Sequence, residues 1–164
     1  MEISDLIYQQ AAEVIDKCAT YGNKIIIAES CTGGLITAAL TEISGSSLVV
    51  EGGFLVYSHE MKREILGVSA EKSVKYGAVS AEIAFEMAQG ALKKTNANIA
   101  LGVTGIAGPT GGTIEKPVGL VHICALTDKG DKLEMKFCFT GQDRAGVRTL
   151  TVKQSLEILL KIIK

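Results

Sequence analysis

Residues 25–34 read Ile-Ile-Ile-Ala-Glu-Ser-Cys-Thr-Gly-Gly, and Leu35, Ile36, Ala38, Ala39 and Leu40 follow at once. An unbroken apolar run predicts a buried strand over about Lys24–Glu29. The apolar spacing after it predicts a helix over about Cys31–Glu42. A strand that feeds straight into a helix is the unit of an α/β fold. The junction also places hydroxyls, a thiol and bare backbone N–H groups at a helix N-terminus. Such a terminus attracts anions and can stabilise a developing oxyanion.

Working outward, residues 3–21 carry Leu6, Ile7, Ala11, Val14, Ile15 and Cys18 at helical spacing and close near Gly22. After the turn Ser44–Ser47, the pattern predicts a strand over Leu48–Tyr57. Ser58 then caps a short helix that ends at Gly67. A further short helix is expected around Ala70–Tyr76, and Ser80 caps a longer one over about Ala81–Thr95. Asn98–Thr104 reads as a buried strand. Val118–Thr127 and Lys132–Thr140 flank Asp128-Lys129-Gly130-Asp131, a hairpin signature. A last amphipathic helix spans about Arg144–Ile163. The expectation is a three-layer α/β/α sandwich with a mixed sheet of about five to six strands and roughly five helices. No linker, repeat or low-complexity stretch interrupts residues 1–164, which read as a single domain.

Hydrophobic residues make up 47% of the 164, enough for one substantial aliphatic core. The net charge of −1, with no strongly basic stretch, argues against nucleic acid as a partner. The N-terminus lacks a signal-peptide pattern, and no apolar run approaches the roughly 20 residues that cross a bilayer. The four cysteines form no Cys-x-x-Cys pair, and their spacing with His59 and His122 is not that of a zinc site. A cytoplasmic protein with free thiols, no bound metal, no cofactor and no membrane partner is expected.

Ser30 is the first candidate for chemistry, because ligands bind open α/β sheets at the carboxyl ends of strands. The plainer reading makes Ser30 or Thr32 a helix N-cap. Gly33 and Gly34 speak against it, since each glycine costs roughly 1 kcal/mol against alanine inside a helix. Close approach of a ligand to the backbone would explain them. A serine nucleophile needs a base. Lys62 falls in the first turn of the helix after Ser58, where the dipole opposes its charge and favours the neutral amine. A solvated surface lysine is the alternative. Tyr57 ends the preceding strand beside the same cleft. Cys31, with His59 as base, is a rival nucleophile, or else a small packed hydrophobe. The glycine-rich loop of residues 105–113 is either a phosphate cradle or a long turn, and it lacks the P-loop ending. Arg144 and Arg148 share one face at the start of the last helix. A bound anion or a solvated face would account for them.

Five stretches occur in a set order: Ala28-Glu29-Ser30-Cys31-Thr32-Gly33-Gly34; Gly52-Gly53 with Tyr57-Ser58 and Lys62; Gly77-Ala78-Val79-Ser80; Gly105-x-Ala107-Gly108-Pro109-x-Gly111-Gly112; and Lys116-Pro117-Val118-Gly119. Over nearly the whole chain they resemble the CinA carboxy-terminal domain family, whose enzymatic members are nicotinamide mononucleotide (NMN) deamidases of pyridine-nucleotide salvage. The resemblance implies hydrolysis of the NMN carboxamide to nicotinate mononucleotide and ammonia, without a metal. It implies Ser30 as nucleophile, Lys62 as base and Tyr57 as an assisting group. Thr32, Gly33, Gly34, Thr104, Gly105 and Gly108 would line the substrate site, Arg144 would contact the phosphate, and Arg148 would support it. His59 stands where the family often has Asn, and Gln142 lengthens its Gly-Asp-Arg motif by one residue. A catalytically inactive nucleotide-binding module is the second reading. Many relatives carry an additional amino-terminal domain, for which this chain is expected to have no room. A homo-oligomer is expected from the aliphatic content and the family.

Overall fold

In a computed structural model that describes residues 4–164, six helices cover both faces of one five-stranded sheet. The elements run α1 (Asp5–Tyr21), β1 (Ile25–Glu29), α2 (Leu35–Thr41), β2 (Val50–Leu55), α3 (His59–Leu66), α4 (Ala70–Tyr76), α5 (Ala81–Lys94), β3 (Ile99–Gly105), β4 (Leu120–Thr127), β5 (Lys132–Cys138) and α6 (Arg144–Ile162). The strand order is β2-β1-β3-β4-β5. β1 pairs parallel with β2 and β3, and the β4–β5 hairpin adds two antiparallel strands. The mixed α/β sheet expected from the sequence is therefore present.

The strand period of two sorts the core into two layers. Ile25, Ile27, Ile99, Leu101, Val121 and Ile123 face α1, α2 and α6. Ile26, Ala28, Ala100 and Leu126 face α5 and α3. β1 is buried at all five positions, which is why its sequence is a continuous apolar run rather than an alternating one. The edge strands β2 and β5 show the alternation of half-solvated strands instead.

The chain leaves β1 towards the α2 face and leaves β2 towards the α3 face. Two adjacent parallel strands whose connections part to opposite sides open a crevice at their carboxyl ends. Ser30 stands on one lip and Tyr57–Lys62 on the other. Serine caps fix the entry of α3, α4 and α5: Ser58, Ser69 and Ser80 accept from Met61, Lys72 and Ile83 N–H.

Several boundaries differ from the sequence reading. α2 begins at Leu35, not Cys31, because Gly33 (φ 64°) and Gly34 (φ 93°) are left-handed and residues 31–34 form turns. β2 begins at Val50, because Ser46–Leu48 form a 3₁₀ turn. The helices number six where roughly five were expected, and Ile3, assigned to the first helix, lies outside the described residues.

α3 reaches its place through contact with α5 at Gly90. A Cβ there would stand 2.0 Å from the Leu66 carbonyl oxygen. Alanine at a helical position ordinarily gains about 1 kcal/mol over glycine. Gly90→Ala should instead lose about 1–3 kcal/mol through overpacking, measured by denaturant unfolding. A stabilised variant would refute the close packing.

Candidate active site

Ser30 follows the last residue of β1, and Lys62 lies in the first turn of α3. They meet across the crevice, with Lys62 Nζ 2.9 Å from Ser30 Oγ. Lys62 also donates to the Tyr57 carbonyl oxygen at 3.0 Å. Only 3% of Lys62 and 7% of Ser30 is exposed, so the pair is withdrawn from bulk water. Burial holds the Lys62 amine below its ordinary 10.5, and the nearby Cys31 opposes the shift. Among the described residues no carboxylate lies within ion-pair distance of this amine. A neutral amine that donates one N–H to Tyr57 can turn its lone pair to Ser30 and accept the hydroxyl proton.

The N-terminus of α2 is not open to an anion as the sequence suggested. Glu29, 1% exposed, fills it from within. Its Oε2 accepts from Gly34 N (3.0 Å) and Ile36 N (3.1 Å). Its Oε1 accepts from Thr37 N (2.8 Å) and Thr37 Oγ1 (2.7 Å). Gly33 N–H closes a turn onto Ser30 O. The glycines thus serve a tight turn and a carboxylate cap rather than the close approach of a ligand. Cys31 N–H and Thr32 N–H donate to no acceptor among the described residues, and the Cys31 amide is the one that follows Ser30 directly in the chain. The sequence reading gave Glu29 no role. The available signal was a lone acid that ends an apolar strand, which needs hydrogen-bond donors if buried.

Ser30, Cys31, Tyr57, His59, Lys62, Ala78, Val79, Thr104, Gly105 and Arg144 line a cleft of about 160 Å³. Arg144 stands at its edge, where Nη1 donates to Gly108 O (2.8 Å) and Nη2 to the Tyr57 hydroxyl (3.3 Å). Arg144 has no carboxylate within ion-pair distance among the described residues. It also lines an adjoining groove of about 440 Å³ beside Ala107, Pro109, Val118 and Arg148.

Of the residues the sequence singled out, Ser30, Tyr57, Lys62, Thr104, Gly105 and Arg144 come together in the cleft. Thr32, Gly33, Gly34, Gly108 and Arg148 do not line it. Arg148 donates to Thr32 O at 3.0 Å and so supports the turn from behind. The Thr104 hydroxyl donates to Ala78 O (2.8 Å). Lys116 donates to Tyr76 O and to Val79 O (2.7 Å), fastening the glycine-rich loop to the Gly77–Ser80 wall of the cleft.

Cys31 is packed against Gly105 within the apolar core. Burial pushes its thiol up to about 12, the reverse of the activation that a helix N-terminus would give. His59 lines the same cleft and is exposed.

The CinA C-terminal domain model matches residues 7–163. This chain belongs to the CinA C-terminal domain family. A CinA-like protein of Syntrophomonas wolfei is 47% identical over 152 residues, 92% of this chain. A putative competence-damage inducible protein of Caldicellulosiruptor saccharolyticus is 47% identical over 150 residues, again 92% of this chain. The chain spans 36% of the length of each of these two curated relatives. The competence/damage inducible protein CihA of Agrobacterium tumefaciens superposes with a TM-score of 0.97 at 43% identity, over 100% of this chain and 99% of its own. The competence damage-inducible protein A of Klebsiella pneumoniae superposes with 0.90 at 33% identity, over 95% and 96%. No helix among the described residues is long and apolar enough to cross a membrane.

Burial also raises Cys18 and Cys124 to about 12, while Cys138 is exposed. At pH 8 a disulfide reagent should therefore titrate one thiol of the native protein quickly and the other three only on unfolding. Rapid modification of Cys31 in the folded protein would contradict its assignment as a packed, protonated thiol.

Proposed function

We propose that this domain is an amidohydrolase that converts NMN to nicotinate mononucleotide and ammonia through an acyl-enzyme on Ser30. The observation that carries the reading is the 2.9 Å contact between the Ser30 hydroxyl and a buried amine held below its usual pKa. The family membership, and the resemblance of its motifs to NMN deamidases, select the substrate.

The chemistry follows from the residues in place. Lys62 takes the Ser30 proton as Oγ attacks the carboxamide carbon. Negative charge develops on the carboxamide oxygen, and the unpaired N–H of Cys31, a residue of the cleft wall, is the donor suited to it. The lysine ammonium then protonates the departing nitrogen, the C–N bond breaks and ammonia leaves. Lys62, neutral again, takes a proton from water as the water attacks the ester carbon. Nicotinate mononucleotide departs and the proton returns to Ser30. A cleft of about 160 Å³ suits the pyridine ring alone. The ribose phosphate would extend past Arg144, whose unneutralised charge at the edge supports an anion there.

Ser30→Ala and Lys62→Ala should each lower ammonia release from NMN by about 10³-fold or more with the fold retained, as judged by circular dichroism. Arg144→Ala should raise KM by about tenfold. Nicotinamide, which lacks the phosphate, should be a poor substrate beside NMN. Full activity in either of the first two variants refutes the role of that residue. NMN binding with no ammonia release by the wild type would identify a nucleotide-binding module instead.

The pH dependence has a fixed sign. The base must be the neutral amine, so kcat/KM should rise with pH and level off above the Lys62 pKa, which lies below 10.5. Lys62→Arg stays protonated throughout and should not recover activity at any pH. A wild-type profile that falls as pH rises through this limb would contradict Lys62 as base.

A further inference from the structure

We infer that Glu29 is a positioning residue for the Ser30 nucleophile; the inference rests on the amidohydrolase reading above. Glu29 is adjacent to Ser30 and its carboxylate is buried to 1% exposure. Its partners are neither lysine nor arginine but four uncharged donors: Gly34 N, Ile36 N, Thr37 N and Thr37 Oγ1, all between 2.7 and 3.1 Å. A buried carboxylate needs such compensation, and a helix N-terminus supplies N–H groups aimed at it. The bonds close a loop from Glu29 through the Ser30–Gly34 turn and back to the start of α2.

This closure has two consequences for the reaction. First, it fixes the backbone on both sides of Ser30. The β1 ladder holds Glu29 from one end, since Glu29 pairs with Leu55 and Val103. The carboxylate ties the far side of the turn back to the same residue, and Arg148 anchors Thr32 O from behind. Ser30 is left few ways to drift from Lys62. Second, the carboxylate consumes the donors of α2 that would compete for an anion. The free amide of the cleft wall is that of Cys31, next to the nucleophile. An anionic group of the substrate is thereby directed away from the α2 terminus.

The four donors also fix the requirement for a carboxylate. Glutamine at position 29 keeps the shape but replaces one acceptor oxygen with an NH₂. Turned to Gly34 and Ile36, that group would meet two N–H donors. Turned to Thr37, it would meet one N–H and a hydroxyl that can rotate to accept, so at least one of the four bonds would be lost. The turn would relax while the cleft walls from α3, Ala78–Val79 and Arg144 stay in place. Displacement of a reacting group by about 1 Å typically costs about 10²-fold in rate.

The test uses a fluorophosphonate and Glu29→Gln. In the probe reaction Ser30 Oγ bonds to phosphorus, the P–F bond breaks, fluoride leaves and Lys62 takes the hydroxyl proton. Labelling at Ser30 is followed by mass spectrometry. Affinity for nicotinate mononucleotide is measured by calorimetry, well below the melting temperature of each protein. The variant should label about 10²-fold more slowly, and kcat for NMN should fall in parallel. Product affinity should stay within about twofold, a split that general loosening of the fold would not give. Equal labelling rates for variant and wild type, or a parallel loss of product affinity, would overturn the inference. A wild type that is not labelled at Ser30 would sink the amidohydrolase reading instead. Should Glu29→Gln fail to fold, Thr37→Val removes only the hydroxyl donor. It should slow labelling by about threefold, and an unchanged rate would count against the clamp.

Discussion

A lysine amine sealed against a serine hydroxyl, with a backbone carbonyl as its other partner, is the constraint on which this site depends. The amine has lost most of its water and gained no carboxylate. Its charged form is therefore the disfavoured one, and the fold bears part of that cost. Sign matters for stability as well as for reactivity. Below 10.5 the unfolded chain binds a proton that the folded chain resists, so this group destabilises the fold progressively as pH falls from 10.5 to its folded pKa. The rest of the architecture holds the two groups together against that tendency. Ser30 comes from the buried central strand β1. Lys62 comes from α3, which is pressed onto α5 through Gly90.

The two halves of the site approach from opposite faces of the sheet. The turn after β1 leads to α2, and the turn after β2 leads to α3, so the crevice lies where the connections part. Each lip is stiffened by local devices. On one side these are the Glu29 carboxylate and the Arg148 guanidinium. On the other they are the Ser58 cap and the Tyr57 carbonyl. The third wall, Ala78 and Val79, is tied to the glycine-rich loop by Lys116 and to β3 by Thr104. Such backbone-directed side chains make a rigid cleft from segments that are mostly loop.

Much of this was legible in the sequence, and the reasons are physical. β1 was visible because a strand buried on both faces has no polar alternation. α3 was visible because a serine cap and a terminal glycine bracket eight residues. The β4–β5 hairpin announced itself through Asp-Lys-Gly-Asp, where Gly130 has φ 93°. The convergence of Ser30 and Lys62, 32 positions apart, was expected from local dipole arguments and from the resemblance to a known family, not from periodicity. What stayed hidden were interactions that depend on a side chain turning back on its own backbone. Glu29 looked like the last residue of a strand, and only the fold shows that its carboxylate enters the next helix. The paired glycines then acquired the wrong explanation, because a left-handed turn and a ligand contact leave the same trace in a sequence. Cys31 left a reactive thiol and a small packed hydrophobe both open in the sequence, and its burial bears out the second. Proximity to a helix start can be read locally, but burial cannot.

The most direct measurement is rapid acid quench of a single turnover of NMN, followed by peptide mapping of the trapped adduct. The account predicts a nicotinoyl-nucleotide ester on Ser30, formed before free nicotinate mononucleotide appears and absent when Lys62 is replaced by methionine. A thioester on Cys31, or product formed in a burst-free reaction with no covalent species on residues 25–34, would contradict it.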